Sequence, residues 1–177
     1  MFSSNFIASF SSFILLFSLK LSAAECMSIN EDSSSPIIIT TVINSSVEKV
    51  WDAIIDFKNY GHWNGWVSKI DGEAREGAIV RAYGKTSDLA LDLKITRLEQ
   101  PRVLCWDDVT WFTYFGVGGW RCRTIEVLPD GKSVKFTNHF EYSGVFRWLF
   151  SLSTREMLVS GMTLENESLR NFVESGR

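Results

Sequence analysis

The side chains that could perform acid–base chemistry are few. The chain has two histidines, His62 and His139. His139 alternates with apolar neighbours in a strand-like run, so we expect it on the wet face of a sheet. His62 stands beside Trp63 in a turn and is the one weak candidate for a catalytic acid or base, because such a group must first reach its substrate. The sequence contains no serine–histidine–acid set, nucleotide-binding loop or metal-ligand spacing, so it predicts neither a metal nor a cofactor.

Three polar side chains are candidates for contact with a ligand. Asn138 shares strand parity with Phe136 and Phe140, which places it on the dry face, where an amide without a partner costs about 1–3 kcal/mol. It therefore bonds to a ligand, to water or to protein. Arg121 and Arg123 share strand parity with the apolar residues Ile125 and Val127. An arginine that points inward would bind a carboxylate or polar head group. The alternative is an arginine on the sheet surface that pairs with an acidic residue.

Aromatic residues are abundant, with seven tryptophans in 177 residues. Aromatic side chains bind apolar ligands through area and stacking, although most of them serve as ordinary core. In the run WFTYF, from Trp111 to Phe115, five bulky residues cannot all face inward from one strand. Some of them are therefore expected at a cavity rim, in a membrane-facing patch or on a partner surface.

The overall charge argues against nucleic-acid binding. The formal net charge is −3 and the pI is near 5.4, and the basic residues are scattered along the chain. A protein that binds a phosphate backbone needs a concentrated basic field. The length suits one domain of about 140 residues preceded by a leader.

The first residues have the character of an export signal. Residues 1–24 contain the apolar run FILLFSL, with small residues at Ser22 and Ala24, and predict a signal peptide cleaved after Ala24. An uncleaved leader that associates with a membrane is the alternative, but the run is shorter than the roughly 20 residues of a spanning helix. Residues 25–35 are polar and predict a disordered spacer. We therefore expect a secreted or periplasmic protein, or a membrane-anchored one.

The chain has three cysteines, Cys26, Cys105 and Cys122. If the segments around Cys105 and Cys122 are neighbouring antiparallel strands, the two thiols would face each other at a separation that suits a disulfide. The alternative is a pair of buried thiols. Cys26 would then remain as a free or intermolecular thiol.

The remaining pattern is one strand, a helix, several strands and a long helix. A β-branched run from Ile37 to Ile43 leads to a helix, for which Ser45 and Glu48 form a capping box. At the other end, Ser153 and Glu156 form a second capping box before a helix of about 20 residues. Gly161 lies in mid-helix and predicts close packing or a kink. The strands predicted between the two helices are 67–70, 78–83, 89–98, 103–106, 118–128 and 133–142.

Both ends of this pattern resemble one superfamily. Asp56 and Phe57, followed by Trp63 and Asn64, are similar to the end of the first helix and the tryptophan–asparagine turn of the START-like, or SRPBCC, superfamily of polyketide cyclases, dehydrases and lipid-transport proteins. The closing helix matches it through Asn166, Leu169 and Glu174. The chain has Gly65 and Trp66 where the family usually has proline and phenylalanine.

This resemblance, over residues 36–174, implies an α+β helix-grip fold. In that fold a curved antiparallel sheet wraps around a long C-terminal helix, with an apolar cavity between them. Trp66 would then stand at the cavity entrance as a movable lid. The residues expected to contact a ligand come from the turn, the dry sheet face and the final helix: Trp63, Trp66, Leu91, Leu93, Ile95, Trp106, Phe136, Asn138, Phe140, Leu158, Met162 and Leu169.

Three functions stay open at the level of the sequence. The first, which the resemblance favours, is non-catalytic binding or carriage of a hydrophobic small molecule such as a lipid, polyketide or isoprenoid. The second is a cyclase or dehydrase in which His62 or Asn138 polarises a carbonyl. The third is a protein-interaction module that uses the WFTYF run. The sequence does not determine the oligomeric state.

Overall fold

The structure, a computed structural model, describes residues 33–86, 90–111, 113 and 116–176. The helices are α1 (Val47–Ile55), α2 (Tyr60–Trp63) and α3 (Arg147–Glu174). The strands are β1 (Ile37–Ile43), β2 (Val67–Asp71), β3 (Ile79–Gly84), β4 (Ala90–Glu99), β5 (Val103–Asp108), β6 (Gly118–Val127) and β7 (Val134–Ser143). The order of elements agrees with the order predicted from the sequence.

The strands form one antiparallel sheet in the order β1-β7-β6-β5-β4-β3-β2. The first strand of the chain thus pairs with the last, and both edges are formed by strands from the first half of the chain. The 28-residue helix α3 packs across the sheet and contacts β1, β7 and the two short helices. This arrangement is the predicted α+β helix-grip fold.

The apolar interior has two parts. The larger one includes Trp51, Ile95, Phe136 and Leu169, together with the other buried residues of α1, α2 and the sheet. The smaller one lies under the middle of α3 and contains Ile37, Phe140, Tyr142, Leu158 and Met162. The strand alternation predicted for 89–98 agrees with burial at Leu93 and Ile95 and with exposure at Lys94 and Thr96. Leu89 itself lies outside the described residues.

Both predicted capping boxes are wrong. The N-cap of α1 is Ser46, whose hydroxyl accepts a hydrogen bond from Lys49 N at 3.4 Å, because Ser45 is used in the turn that closes β1. Helix α3 begins at Arg147, and Ser153 lies inside it, where its hydroxyl donates to the Phe150 carbonyl at 3.0 Å. The extra turns were missed because their apolar residues do not continue the buried stripe.

Gly161 allows close packing, one of the two roles predicted for it. The Trp66 ring lies against α3 at this position, and a Cβ on Gly161 would stand 2.3 Å from Trp66 Cε2. That separation is far inside van der Waals contact. Only glycine therefore leaves room for the ring in its present position.

Cys105 and Cys122 lie opposite each other in the β5–β6 register and form a disulfide. Of the two alternatives left open by the sequence, the structure therefore has the bridge. Cys26 and the predicted signal peptide lie outside the described residues. Ser33 and Ser35, the described end of the predicted spacer, accept hydrogen bonds from Arg155 of α3 through their carbonyls at 3.1 and 2.7 Å. Among the described helices none is both long and apolar enough to cross a membrane.

Candidate functional site

Three charged side chains meet in the interior between the sheet and α3. Arg121 and Arg123 project from β6 on the same face, and Glu165 projects down from α3. Arg121 Nη2 donates to Glu165 Oε2 at 2.8 Å, and Arg123 Nε donates to Glu165 Oε1 at 2.7 Å. Arg123 and Glu165 are fully buried, and Arg121 nearly so. We call these three residues the buried charged cluster.

Two asparagines connect this cluster to the sheet. Asn138 accepts a hydrogen bond from Arg121 Nε at 2.6 Å and donates to Asn166 Oδ1 at 3.3 Å. Asn166 in turn donates to the Ile39 carbonyl of β1 at 3.2 Å. The buried position predicted for Asn138 is confirmed, and its partners in the structure are protein groups. The network joins β6, β7, α3 and β1, so it fixes how the long helix lies on the sheet.

The cluster keeps its charges at neutral pH. Burial alone would raise the pKa of the Glu165 carboxyl, but the charges of Arg121 and Arg123 outweigh burial and lower it to about 2. Burial, together with the charge of Arg123, lowers the pKa of Arg121 to about 10. Burial also raises the pKa of the nearby Tyr60 hydroxyl, which keeps it neutral. The cluster therefore holds two positive charges and one negative charge.

The guanidinium of Arg123 is only partly satisfied. Its Cζ lies 4.0 Å from the centroid of the Trp106 ring, so the aromatic face covers one side of the cation. Nε bonds to Glu165, but Nη1 and Nη2 are buried and have no hydrogen-bond partner among the described residues. A second cation–π contact places Arg121 Cζ 5.1 Å from the Trp66 ring. Both arginines are thus held by aromatic side chains as well as by Glu165.

The start of α3 carries a second feature, an exposed apolar surface. Its members are between 52% and 80% exposed, which is unusual for large apolar side chains. We call this surface the apolar end, and it comprises Val145, Phe146, Trp148, Leu149 and Leu152. The loop before β6 supports it, since Phe146 N donates to the Gly116 carbonyl at 3.0 Å. Gly144, at φ 91°, is required there because a Cβ would lie 2.1 Å from the Gly116 carbonyl oxygen.

A cavity of about 220 Å³ opens within the apolar end. The described residues that line it are apolar apart from one hydroxyl: Val117, Phe146, Leu149, Phe150 and Ser153. Further inward, the ring of Phe150 meets Tyr142 edge-to-face at 5.9 Å, and Tyr142 meets Phe140 at 5.0 Å. The Tyr142 hydroxyl is buried and has no hydrogen-bond partner among the described residues. A line of aromatic rings therefore leads from the cavity toward the buried charged cluster.

The sequence-predicted ligand contacts fall into two groups. Trp66 is half-buried, with its ring against Gly161 and Arg121, and the lid role remains a prediction. In the smaller core, beside the aromatic line, are Phe140, Leu158 and Met162. In the larger core are Trp63, Leu91, Leu93, Ile95, Trp106, Phe136 and Leu169. Within this second group, Trp106 lies against Arg123 of the cluster.

The histidines stand apart from the cluster. His62 is exposed on α2. His139 lies on the outer sheet face, as its parity predicts, but it is half-buried rather than exposed. The Trp120 ring packs against it in a tilted arrangement, with the ring centroids 5.0 Å apart. Within the described residues, no group of three histidine, cysteine, aspartate or glutamate side chains is arranged to hold a metal ion.

Sequence reasoning missed two parts of the site, Glu165 and the cavity lining, but included Arg121 and Arg123 among its candidates. Glu165 follows Met162 by three residues and precedes Leu169 by four, so the helical period places it on the buried stripe of α3. It was not predicted because a charged side chain is not expected in a buried position. Arg121 and Arg123 were considered because they share one parity, and both face inward. The cavity lining had no local signal, since it depends on contact between the loops around residues 116 and 144.

Comparison with known proteins supports the fold. A family model described as polyketide cyclase / dehydrase and lipid transport matches residues 37–174. A protein from Mesorhizobium loti has a similar structure, with a TM-score of 0.64, 14% identity and coverage of 81% of this chain and 99% of that one. A protein from the dynemicin biosynthetic locus has a TM-score of 0.63, 18% identity and coverage of 84% of this chain and 49% of that one.

A third similar structure is that of a point mutant of norcoclaurine synthase from Thalictrum flavum with a transition-state analogue. Its TM-score is 0.54 and its identity 13%, with coverage of 77% of this chain and 95% of that one. No curated protein matches the chain by sequence. At these identities the structural neighbours establish the helix-grip fold alone.

Proposed function

Because the chain belongs to the polyketide cyclase / dehydrase and lipid transport family, we propose that it binds a hydrophobic small molecule without transforming it. The observation that carries the proposal is the apolar cavity of about 220 Å³ at the start of α3, surrounded by exposed apolar side chains. Ligand sites are typically concave and mostly apolar, with few polar groups. A ligand placed there would cover apolar surface that is otherwise exposed to water.

We propose binding without catalysis because none of the three candidate side chains, Glu165, Asn138 and His62, is set up for acid–base chemistry. Glu165 is ionised and bonded to two arginines, and its pKa of about 2 is too far from neutrality for efficient proton transfer. Asn138 is bonded to Arg121 and Asn166, so it is not positioned to polarise a carbonyl on its own. The other candidate, His62, is exposed on a separate helix.

We further propose that the protein works in an extracytoplasmic compartment. The Cys105–Cys122 disulfide supports this location, since disulfides persist mainly in oxidising environments. The apolar leader in residues 1–24 supports it independently.

Binding of the neutral dye Nile red to the full chain tests the proposed function. Leu149 lines the cavity, so Leu149→Ser should weaken binding about tenfold, in line with about 1.5 kcal/mol for apolar burial against a ligand. Met157→Ser is the matched control, because Met157 is an equally exposed apolar residue of α3 that does not line the cavity. Equal losses for both variants, or no dye binding by the parent protein, would contradict the proposal.

A further inference from the structure

The charges of the buried cluster do not balance. Arg121 and Arg123 contribute two positive charges, and Glu165 contributes one negative charge. Among the residues that the structure describes, no second acidic side chain forms an ion pair with either arginine. An isolated buried charge is costly unless a counter-charge accompanies it. The cluster is therefore short of one anion.

The missing anion has a defined place. Nη1 and Nη2 of Arg123 are buried and lack acceptors in the part of the chain that the structure describes, while Nε is occupied by Glu165 and the ring of Trp106 covers one face. A guanidinium whose outer nitrogens are free is suited to a carboxylate, which accepts two parallel hydrogen bonds in the same plane. Buried water would satisfy the donors but would leave the charge unbalanced.

The aromatic line reaches the cluster from the cavity. The inner face of β6 carries Gly119, Arg121 and Arg123, which follow the cavity residue Val117 along the chain. Arg123 comes six residues after Val117, which corresponds to roughly 20 Å of extended strand. Opposite them on β7 stand Tyr142, Phe140 and Asn138 in register. A ligand with its acid at the arginines would thus lie along Phe140 and Tyr142, with its tail directed toward the cavity. Entry requires the rings of Tyr142 and Phe150 to turn aside.

We infer that the buried charged cluster is the receptor for the carboxylate of an amphipathic ligand, with Arg123 as its principal donor. This inference rests on the proposed function and names its ligand class, an apolar carboxylic acid. Arg121 and Glu165 orient Arg123 and set the charge of the site. Phe140, Tyr142 and Phe150 supply the apolar wall.

The test compares decanoate, the neutral decanol and acetate by calorimetric titration at pH 8. We expect decanoate to bind at least about tenfold more tightly than decanol, as for a charge-assisted hydrogen bond, and acetate to bind far more weakly than either. Arg123→Met keeps an apolar stem against Trp106 and should bring decanoate to within about twofold of decanol. Arg97→Met, at an exposed arginine paired with Glu99, removes the same charge and should change neither affinity.

A second readout does not depend on the variant. In the complex with [1-¹³C]decanoate, the carboxyl resonance should titrate at a lower pH than that of the free acid, because guanidinium groups stabilise the ionised form. Equal binding of decanoate and decanol with an unshifted carboxyl titration would overturn the inference and leave the proposed function standing. Acetate binding as tight as that of decanoate would overturn the amphipathic ligand class. Failure of all three ligands to bind would overturn both proposals.

Discussion

Removal of the charge of Glu165 should destabilise the protein strongly. Glu165→Gln keeps the size of the side chain but replaces the carboxylate by a neutral amide. Arg121 and Arg123 then remain as two buried cations without their anionic partner. Breaking a buried ion pair by removing one partner typically costs about 3–5 kcal/mol, because the remaining charge is uncompensated. Here two cations lose the same partner, so we expect a loss in the upper part of that range.

The assay is equilibrium denaturation in urea at pH 7, with Glu167→Gln as the control. Glu167 lies on the exposed face of the same helix, so its substitution should change the free energy of unfolding by less than about 0.5 kcal/mol. A loss below about 1 kcal/mol for Glu165→Gln, with an unchanged urea dependence, would refute the account of the cluster as a charged tie between α3 and the sheet.

The same residue predicts the response to acid. Its pKa is about 2 in the folded protein against the usual 4.5. Because the folded value is the lower one, the stabilisation is fully present above pH 4.5 and is lost as the pH falls toward 2. One pKa unit corresponds to 1.36 kcal/mol, so the difference of about 2.5 in pKa corresponds to a stabilisation of the folded protein by about 3 kcal/mol. Glu165→Gln should lack this part of the acid dependence, and Glu167→Gln should retain it.

Two further substitutions test the packing. Gly161→Ala places a Cβ 2.3 Å from Trp66 Cε2, so it should lower the free energy of unfolding by about 1–3 kcal/mol, although alanine favours helix. The control Ser160→Ala, on the exposed face of the helix, should not lower it. A Gly161→Ala variant more stable than the parent protein would show that the Trp66 ring is not confined. The double substitution Cys105→Ala with Cys122→Ala removes a bridge with a sequence separation of 17, so in thermal unfolding it should be about 3 kcal/mol less stable than the oxidised parent protein. The reduced parent protein is the control and should match the double variant. A double variant as stable as the oxidised parent would contradict this.

The fold was accessible from the sequence because its signals are local. Short apolar or alternating runs between turn residues predicted the strands, and the expected register of β5 and β6 made a Cys105–Cys122 bridge one of two alternatives. The start of α3 was not accessible in this way, since Trp148 and Leu152 face solvent and the Ser153–Glu156 pair imitates a helix start. In the absence of a local rule, tertiary contacts decided the boundary.

The site was harder to predict than the fold for physical reasons. The inward direction of Arg121 and Arg123 is stabilised by Glu165, more than 40 residues away in sequence, and strand parity alone does not tell which face of a sheet receives a paired charge. The cavity depends on a contact between two loops that no periodic pattern describes. Burial of Asn138, by contrast, followed directly from its parity with Phe136 and Phe140.

Native mass spectrometry of the protein purified from its own host, followed by organic extraction, tests the central claim most directly. The account predicts a mass in excess of the polypeptide that is released by organic solvent and identified as an apolar small molecule. Detection of the polypeptide mass alone in every preparation, with nothing apolar in the extract, would contradict it.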